Sequence, residues 1–127
     1  MNGMNKIIFL SLAGAIGALA RYWLSGAVHG FMGRGFPWGT WSVNMLGCFL
    51  FGLIWVLTDE RGLIPAQWRV VLLVGFVGTF TTFSTFIFET SGLMRDAEWL
   101  KMGLNLAGQN LFGFLALYLG ATFGRIL

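Results

Sequence analysis

The residues able to do chemistry are concentrated in one stretch, GFVGTFTTFSTFIFE, which runs from Gly75 to Glu89. It carries hydroxyls at Thr79, Thr81, Thr82, Ser84 and Thr85, with phenylalanines at Phe80, Phe83 and Phe86 between them. Amides stand elsewhere in the chain: Asn44, with Thr40 one helical turn before it, and Asn105, Gln109 and Asn110. Hydroxyl and amide donors can replace part of an ion's water, and the edges of aromatic rings are electropositive. Phenylalanines three apart lie roughly along one helix face, where they serve either as core or as a row of ring edges for a small anion. No Ser/His/Asp or Cys/His arrangement, buried carboxylate pair or metal-spaced cluster accompanies them. The chemistry indicated is therefore binding and passage, and the chain reads as a non-enzyme. No lysine lies inside an apolar segment to trap an ion, which suits a pathway where binding must be weak enough to release.

The elements that must position these groups follow from composition. Of the 127 residues, 57% are hydrophobic and only 10% are charged, and the mean hydropathy is +0.76. Such usage lies far outside that of soluble domains and indicates an integral membrane protein. The net charge of +3 is better matched to arginines facing acidic lipid headgroups than to a nucleic-acid partner. The single cysteine, Cys48, excludes an intramolecular disulfide. Four apolar segments, 7–24, 38–57, 70–88 and 102–123, each approach the ~20 residues that a helix needs to cross the hydrocarbon. The expectation is an all-α membrane protein with one four-span domain over residues 1–127. Lys6 and an apolar run ending in Ala18-Leu19-Ala20 have the outline of a secretory signal, but three further spans argue for reading this run as the first of four. The six tryptophans fall at or near the span ends, as indole prefers the interface.

Within the spans, Ser11, Ala13, Gly14, Gly17 and Ala18 form a small-residue stripe against which another helix should lie. Arg21 near the end of span one can snorkel to the interface or turn inward to hold helix carbonyls or an ion. The glycine-rich connection from Ser25 to Pro37 contains His29, expected there as a solvated loop residue. Asn44 should face inward, either as a helix-to-helix hydrogen bond or as a donor lining a pore. Gly75 and Gly78, followed by hydroxyls, predict that the third helix breaks at the glycines in mid-membrane, which is tolerated where the freed backbone lines a cavity. Glu89 is either a solvated helix-end carboxylate or a residue at a mouth.

Four spans put both termini and the middle loop on one side. That side holds Lys6, Arg61, Arg69 and Arg125; the other holds Arg34, Arg95, Lys101 and, if it snorkels, Arg21. So small a Lys/Arg bias predicts insertion in both orientations and makes an antiparallel homodimer the natural assembly. The small-residue stripes of spans one and four offer surfaces for that association. In such a dimer the two breaks meet near the midplane, where exposed carbonyls could hold a small monovalent cation.

GFVGTFTTFSTF in span three, GTWSVNMLG in span two and the setting of Arg21 together resemble the Fluc family of small bacterial fluoride channels, over nearly the whole chain. The resemblance implies a dual-topology antiparallel homodimer in the bacterial inner membrane, with two fluoride pores, a structural central Na+ and passive fluoride efflux that relieves toxicity. By position it makes Phe83 and Phe86 the pore phenylalanines, Asn44 the pore amide, and Gly78 and Thr81 the sodium carbonyls. Thr82, Ser84, Thr85 and Glu89 follow as further pore candidates, with Arg21 and Thr40 in orienting roles. The chain departs from the family's usual pattern at Thr79 and Phe80, and at the span-four amides Asn105 and Gln109. Two other classes compete. A proton-coupled small multidrug exporter requires a carboxylate inside span one, and residues 7–20 contain none. A non-transporting assembly protein would use the same hydroxyls and Asn44 for helix packing alone.

Overall fold

A computed structural model describes residues 1–127. It is built from helices without strands, with four segments long and apolar enough to cross a membrane, the third of them broken. Helix α1 (Gly3–Met32) starts where the Asn2 side chain accepts the Asn5 N–H at 2.9 Å. It ends at Gly33, whose positive φ of 80° is open to glycine at little cost. Helix α2 (Trp38–Trp55) follows Pro37 and runs on into a π turn, Val56–Glu60. The first half of span three, α3, is π-helical over Val71–Val77 and closes with one α turn, Gly78–Phe80. After two extended residues α4 (Phe83–Arg95) continues the crossing, and α5 (Trp99–Ile126) returns.

Packing rests on bare backbone. The pair α2 and α5 has the most extensive contact; a Cβ at Gly120 would fall on the Phe49 carbonyl, and one at Gly52 on the Leu117 carbonyl. The stripe on α1 receives α3 as expected, with Gly17 against Thr79 and the Phe76 carbonyl. This corrects the reading of the stripes on spans one and four as dimer surfaces: both are consumed inside the protomer. Only 22 of 127 residues are buried, and large apolar side chains such as Leu111 and Phe114 point outward, the reverse of a water-soluble core and the arrangement that a bilayer solvates.

At one end, the Arg125 guanidinium makes two 2.8 Å bonds to Glu60, and Arg61 donates to the Arg125 carbonyl at 3.0 Å. The middle loop is thereby tied to the C-terminus of α5, where positive charge is favoured by the helix dipole. The helices overrun the predicted spans. In particular α1 continues to Met32, so His29 is a helical residue facing the protein, not part of a solvated loop.

Candidate functional site

The break in span three falls at Thr81 (φ −81°, ψ 160°) and Thr82 (φ −148°, ψ 115°), both extended. It does not fall at the glycines. Gly75 is helical and buried against Ala13 and Leu10 of α1, and Gly78 opens the last turn before the break. What ends the helix is competition for its ladder. Asn44 presents its amide edge to Thr82 as a second backbone would: Oδ1 accepts the Thr82 N–H at 2.8 Å and Nδ2 donates to the Thr82 carbonyl at 3.1 Å. A backbone unit freed in hydrocarbon is costly unless paired, and this pairing removes that cost. Thr82 then caps α4, its Oγ1 accepting the Thr85 N–H at 3.3 Å and donating to the Thr85 hydroxyl at 2.9 Å. Arg21 turns inward and donates to the Thr81 carbonyl at 3.2 Å, so its second option is the one adopted.

From Asn44 a chain of amides runs along α5. Asn44 Nδ2 also donates to Gln109 Oε1 at 2.8 Å, Gln109 Nε2 to Asn105 Oδ1 at 2.9 Å, and Asn105 Nδ2 to Thr90 Oγ1 at 2.9 Å. Thr90 closes the series on the Phe86 carbonyl at 2.7 Å. Thr90 escaped the sequence reading, although its spacing held the signal: 82, 86 and 90 share one face of a helix at intervals of four. The two amides that depart from the family's usual pattern, Asn105 and Gln109, are thus both buried and bonded.

Two cavities adjoin the break. One, of about 350 Å³, is lined by Asn44, Thr81, Thr82, Phe83, Phe86 and Gln109, among others, and by no charged residue. The second, of about 340 Å³, is lined by Arg21, His29, Thr40, Thr82, Thr85 and Glu89, among others. Thr82 borders both. The Phe83 and Phe86 rings are 5.8 Å apart and tilted by 51°; Phe86 is 5% exposed, whereas Phe83 is 75% exposed and stands at the open side. Phe80 is buried and stacked on Phe76, which makes it core. Ser84 is exposed and lines neither cavity. Glu89 lies mid-helix, half-buried, accepting the Thr40 hydroxyl at 2.9 Å; the helix-end reading gives way to one facing a cavity.

The carbonyls expected from the family resemblance to face a monovalent cation are those of Gly78 and Thr81, at the break. The Thr82 N–H that would close the Gly78 turn is engaged by Asn44, and Gly78 lies exposed on the protomer surface. Its carbonyl fits a hard cation, as unwound backbone does in transporters. The Thr81 carbonyl keeps one lone pair beside the Arg21 guanidinium.

Residues 8–121 match the family model described as CrcB-like protein, Camphor Resistance (CrcB). The chain is 55% identical over 124 residues to a protein of Solidesulfovibrio magneticus named fluoride-specific ion channel FluC, covering 98% of this chain and 99% of the relative. A protein of the same name from Nitrosococcus oceani is 53% identical over 122 residues, covering 96% and 98%.

Proposed function

The chain belongs to the CrcB-like family, and from that premise we propose that it is a fluoride-selective channel, a multi-pass protein of the bacterial inner membrane through which fluoride leaves the cell passively. It is a transport protein and not an enzyme. The observation that carries the reading is the uncharged cavity at the break, in which the Asn44 amide and the Thr82 backbone and hydroxyl stand beside the Phe83 and Phe86 rings. Ring edges, with the Gln109 N–H that its bond to Asn105 leaves over, compensate an anion's lost water, and no cationic side chain lines this cavity to trap it.

The working unit is an antiparallel homodimer with two such pathways, each completed by the facing protomer. Supporting this are the exposure of Phe83 and of Gly78: in lipid, the Gly78 carbonyl would be left without a partner, whereas a second break across a two-fold axis supplies both a neighbour and oxygens. The Gly78 and Thr81 carbonyls of both protomers would hold a structural Na+ at the midplane. Along each pathway Phe83, Phe86 and Asn44 contact the ion, Thr82 and Thr85 hand it to the second cavity, and Glu89 stands at the mouth with Thr40 orienting it. Ser84 contributes only at the exposed face.

Purified protein in liposomes loaded with fluoride and chloride, with a potassium ionophore to relieve the voltage, tests the reading. Fast fluoride release with chloride retained is expected; vesicles no leakier to fluoride than empty ones would refute it and return weight to a packing role for the broken helix.

A further inference from the structure

Most side-chain donors around the uncharged cavity at the break are already engaged. Asn44 commits both hydrogens of its amide, one to the Thr82 carbonyl and one to Gln109 Oε1. The Thr81 hydroxyl donates to the Val77 carbonyl at 3.0 Å, and the Thr82 hydroxyl to that of Thr85. Cys48 also borders the cavity, but a thiol is a weak donor. Gln109 differs from all of these. It is a buried residue that lines the cavity, and its Nε2 carries two hydrogens, of which the bond to Asn105 uses one. Asn110 lines the cavity too. It is exposed and donates only to the Leu106 carbonyl of its own helix, at 2.6 Å, so no neighbouring helix sets the direction of its amide.

The direction of the Gln109 amide is set from both ends of a chain. A backbone N–H can only donate, and a backbone carbonyl can only accept. Because Asn44 faces both groups of Thr82, its Oδ1 and Nδ2 have a single assignment. Nδ2 then turns to Gln109, which must present Oε1 and direct its Nε2 to Asn105. Asn105 must present Oδ1 and direct its Nδ2 to the Thr90 hydroxyl, whose own hydrogen goes to the Phe86 carbonyl. That last carbonyl imposes the same direction from the far end. Reversing Gln109 would set its Nε2 against Asn44 Nδ2 and its Oε1 against Asn105 Oδ1. Two hydrogen bonds would be lost between buried groups, where an unpaired polar atom is costly.

We infer that Gln109 supplies the hydrogen bond that holds the anion at the break, and that Asn105 and Thr90 are positioning residues that keep this donor available to the cavity. The inference rests on the channel reading above, and it concerns two residues that line neither cavity. The carbonyl oxygen of Gln109, which would repel an anion, is occupied by Asn44. A donor whose direction is preset needs no reordering when the ion arrives. One N–H beside two ring edges replaces only part of an anion's water, so the ion is held weakly enough to leave.

The chain has two glutamines, Gln67 and Gln109. Labelling the full-length protein in nanodiscs with ¹⁵N-glutamine therefore gives two side-chain amide pairs, told apart by Gln67→Asn. Sodium fluoride is expected to move one Gln109 amide hydrogen downfield and to saturate, beyond any shift given by equal sodium chloride, while the hydrogen bonded to Asn105 stays nearly in place. Thr90→Val removes the acceptor that orients Asn105; it should elute as the parent does, lose most of the fluoride shift and lower fluoride flux in liposomes several-fold. Thr90→Ser, which restores the hydroxyl, should match the parent in both. If Thr90→Val fails to fold, the spectrum of the native protein still decides. Gln109 hydrogens that fluoride leaves unmoved would overturn the proposal whether or not the protein conducts, and a Thr90→Val protein equal to the parent in flux and spectrum would overturn the positioning role. A fluoride shift in a protein without fluoride flux would refute the channel reading and leave the anion site standing.

Discussion

Asn44 joins three groups that would otherwise be stranded: the Thr82 N–H, the Thr82 carbonyl and Gln109 Oε1. Each buried polar group left unpaired costs about 1–3 kcal/mol. Asn44→Leu, which keeps the branched shape and removes the amide, is therefore expected to lower the unfolding temperature in detergent and to abolish flux. A variant as stable as the parent would show that the break holds itself open. The two phenylalanines separate stability from passage. Phe83 is 75% exposed in the protomer, so Phe83→Ile should leave the folded chain intact yet cut fluoride flux sharply, since isoleucine has no electropositive ring edge. Phe86 is buried at 5% exposure, and Phe86→Ile should lower flux together with stability, by about 1–3 kcal/mol. Parental flux in both would remove the ring-edge role.

At the level of elements, the break belongs to three segments, not one. Helix α2 supplies the amide that engages Thr82, α1 the guanidinium on the Thr81 carbonyl, and α4 the turn that Thr82 caps. Their relative placement depends on how closely the helices approach. The contact of α2 with α5 tolerates no side chain at Gly120, where a Cβ would strike the Phe49 carbonyl, whereas a Cβ at Gly103 of the same helix meets nothing within 4 Å. Gly120→Leu is expected to abolish a monodisperse peak in size-exclusion chromatography, with Gly103→Leu behaving as the parent. Overpacking of this kind typically costs ~1–3 kcal/mol and more where backbone blocks relaxation. Equal elution of the two variants would mean that α5 can shift along α2.

For the whole molecule, the charge balance is the informative quantity. With Arg21 drawn to the Thr81 carbonyl, four Lys/Arg residues flank one side of the spans, Lys6, Arg61, Arg69 and Arg125, and three the other, Arg34, Arg95 and Lys101. Adding several arginines to the middle loop should fix one orientation and silence the variant alone. Coexpression with a variant biased the opposite way should restore fluoride resistance to cells. Activity from a demonstrably single-orientation population would exclude the antiparallel dimer. The cation is tested separately: if the Gly78 and Thr81 carbonyls hold Na+, replacing it with a large organic cation during prolonged dialysis should reduce flux, and restored Na+ should recover it.

How much of this was legible in the chain depends on the range of the interaction concerned. Length, apolar composition and the grouping of hydroxyls were local properties, and they determined four spans and an interrupted third one; that Asn44, Thr82, Phe83 and Phe86 line one cavity and Glu89 the next came with the docked helices. The α1 stripe announced a close neighbour because small residues at helical spacing have no other use in lipid. The location of the break was not local: the glycines suggested Gly75 and Gly78, but Gly75 packs on α1, and the ladder fails at Thr81 and Thr82 because an amide 38 residues earlier takes the Thr82 N–H. The inward turn of Arg21, the amide chain ending at Thr90 and the placing of His29 and Glu89 on one cavity likewise depend on how distant helices dock. Sequence periodicity reports which face of a helix a residue occupies, while the partner on that face is chosen only when the helices dock; that choice the tertiary structure alone decided.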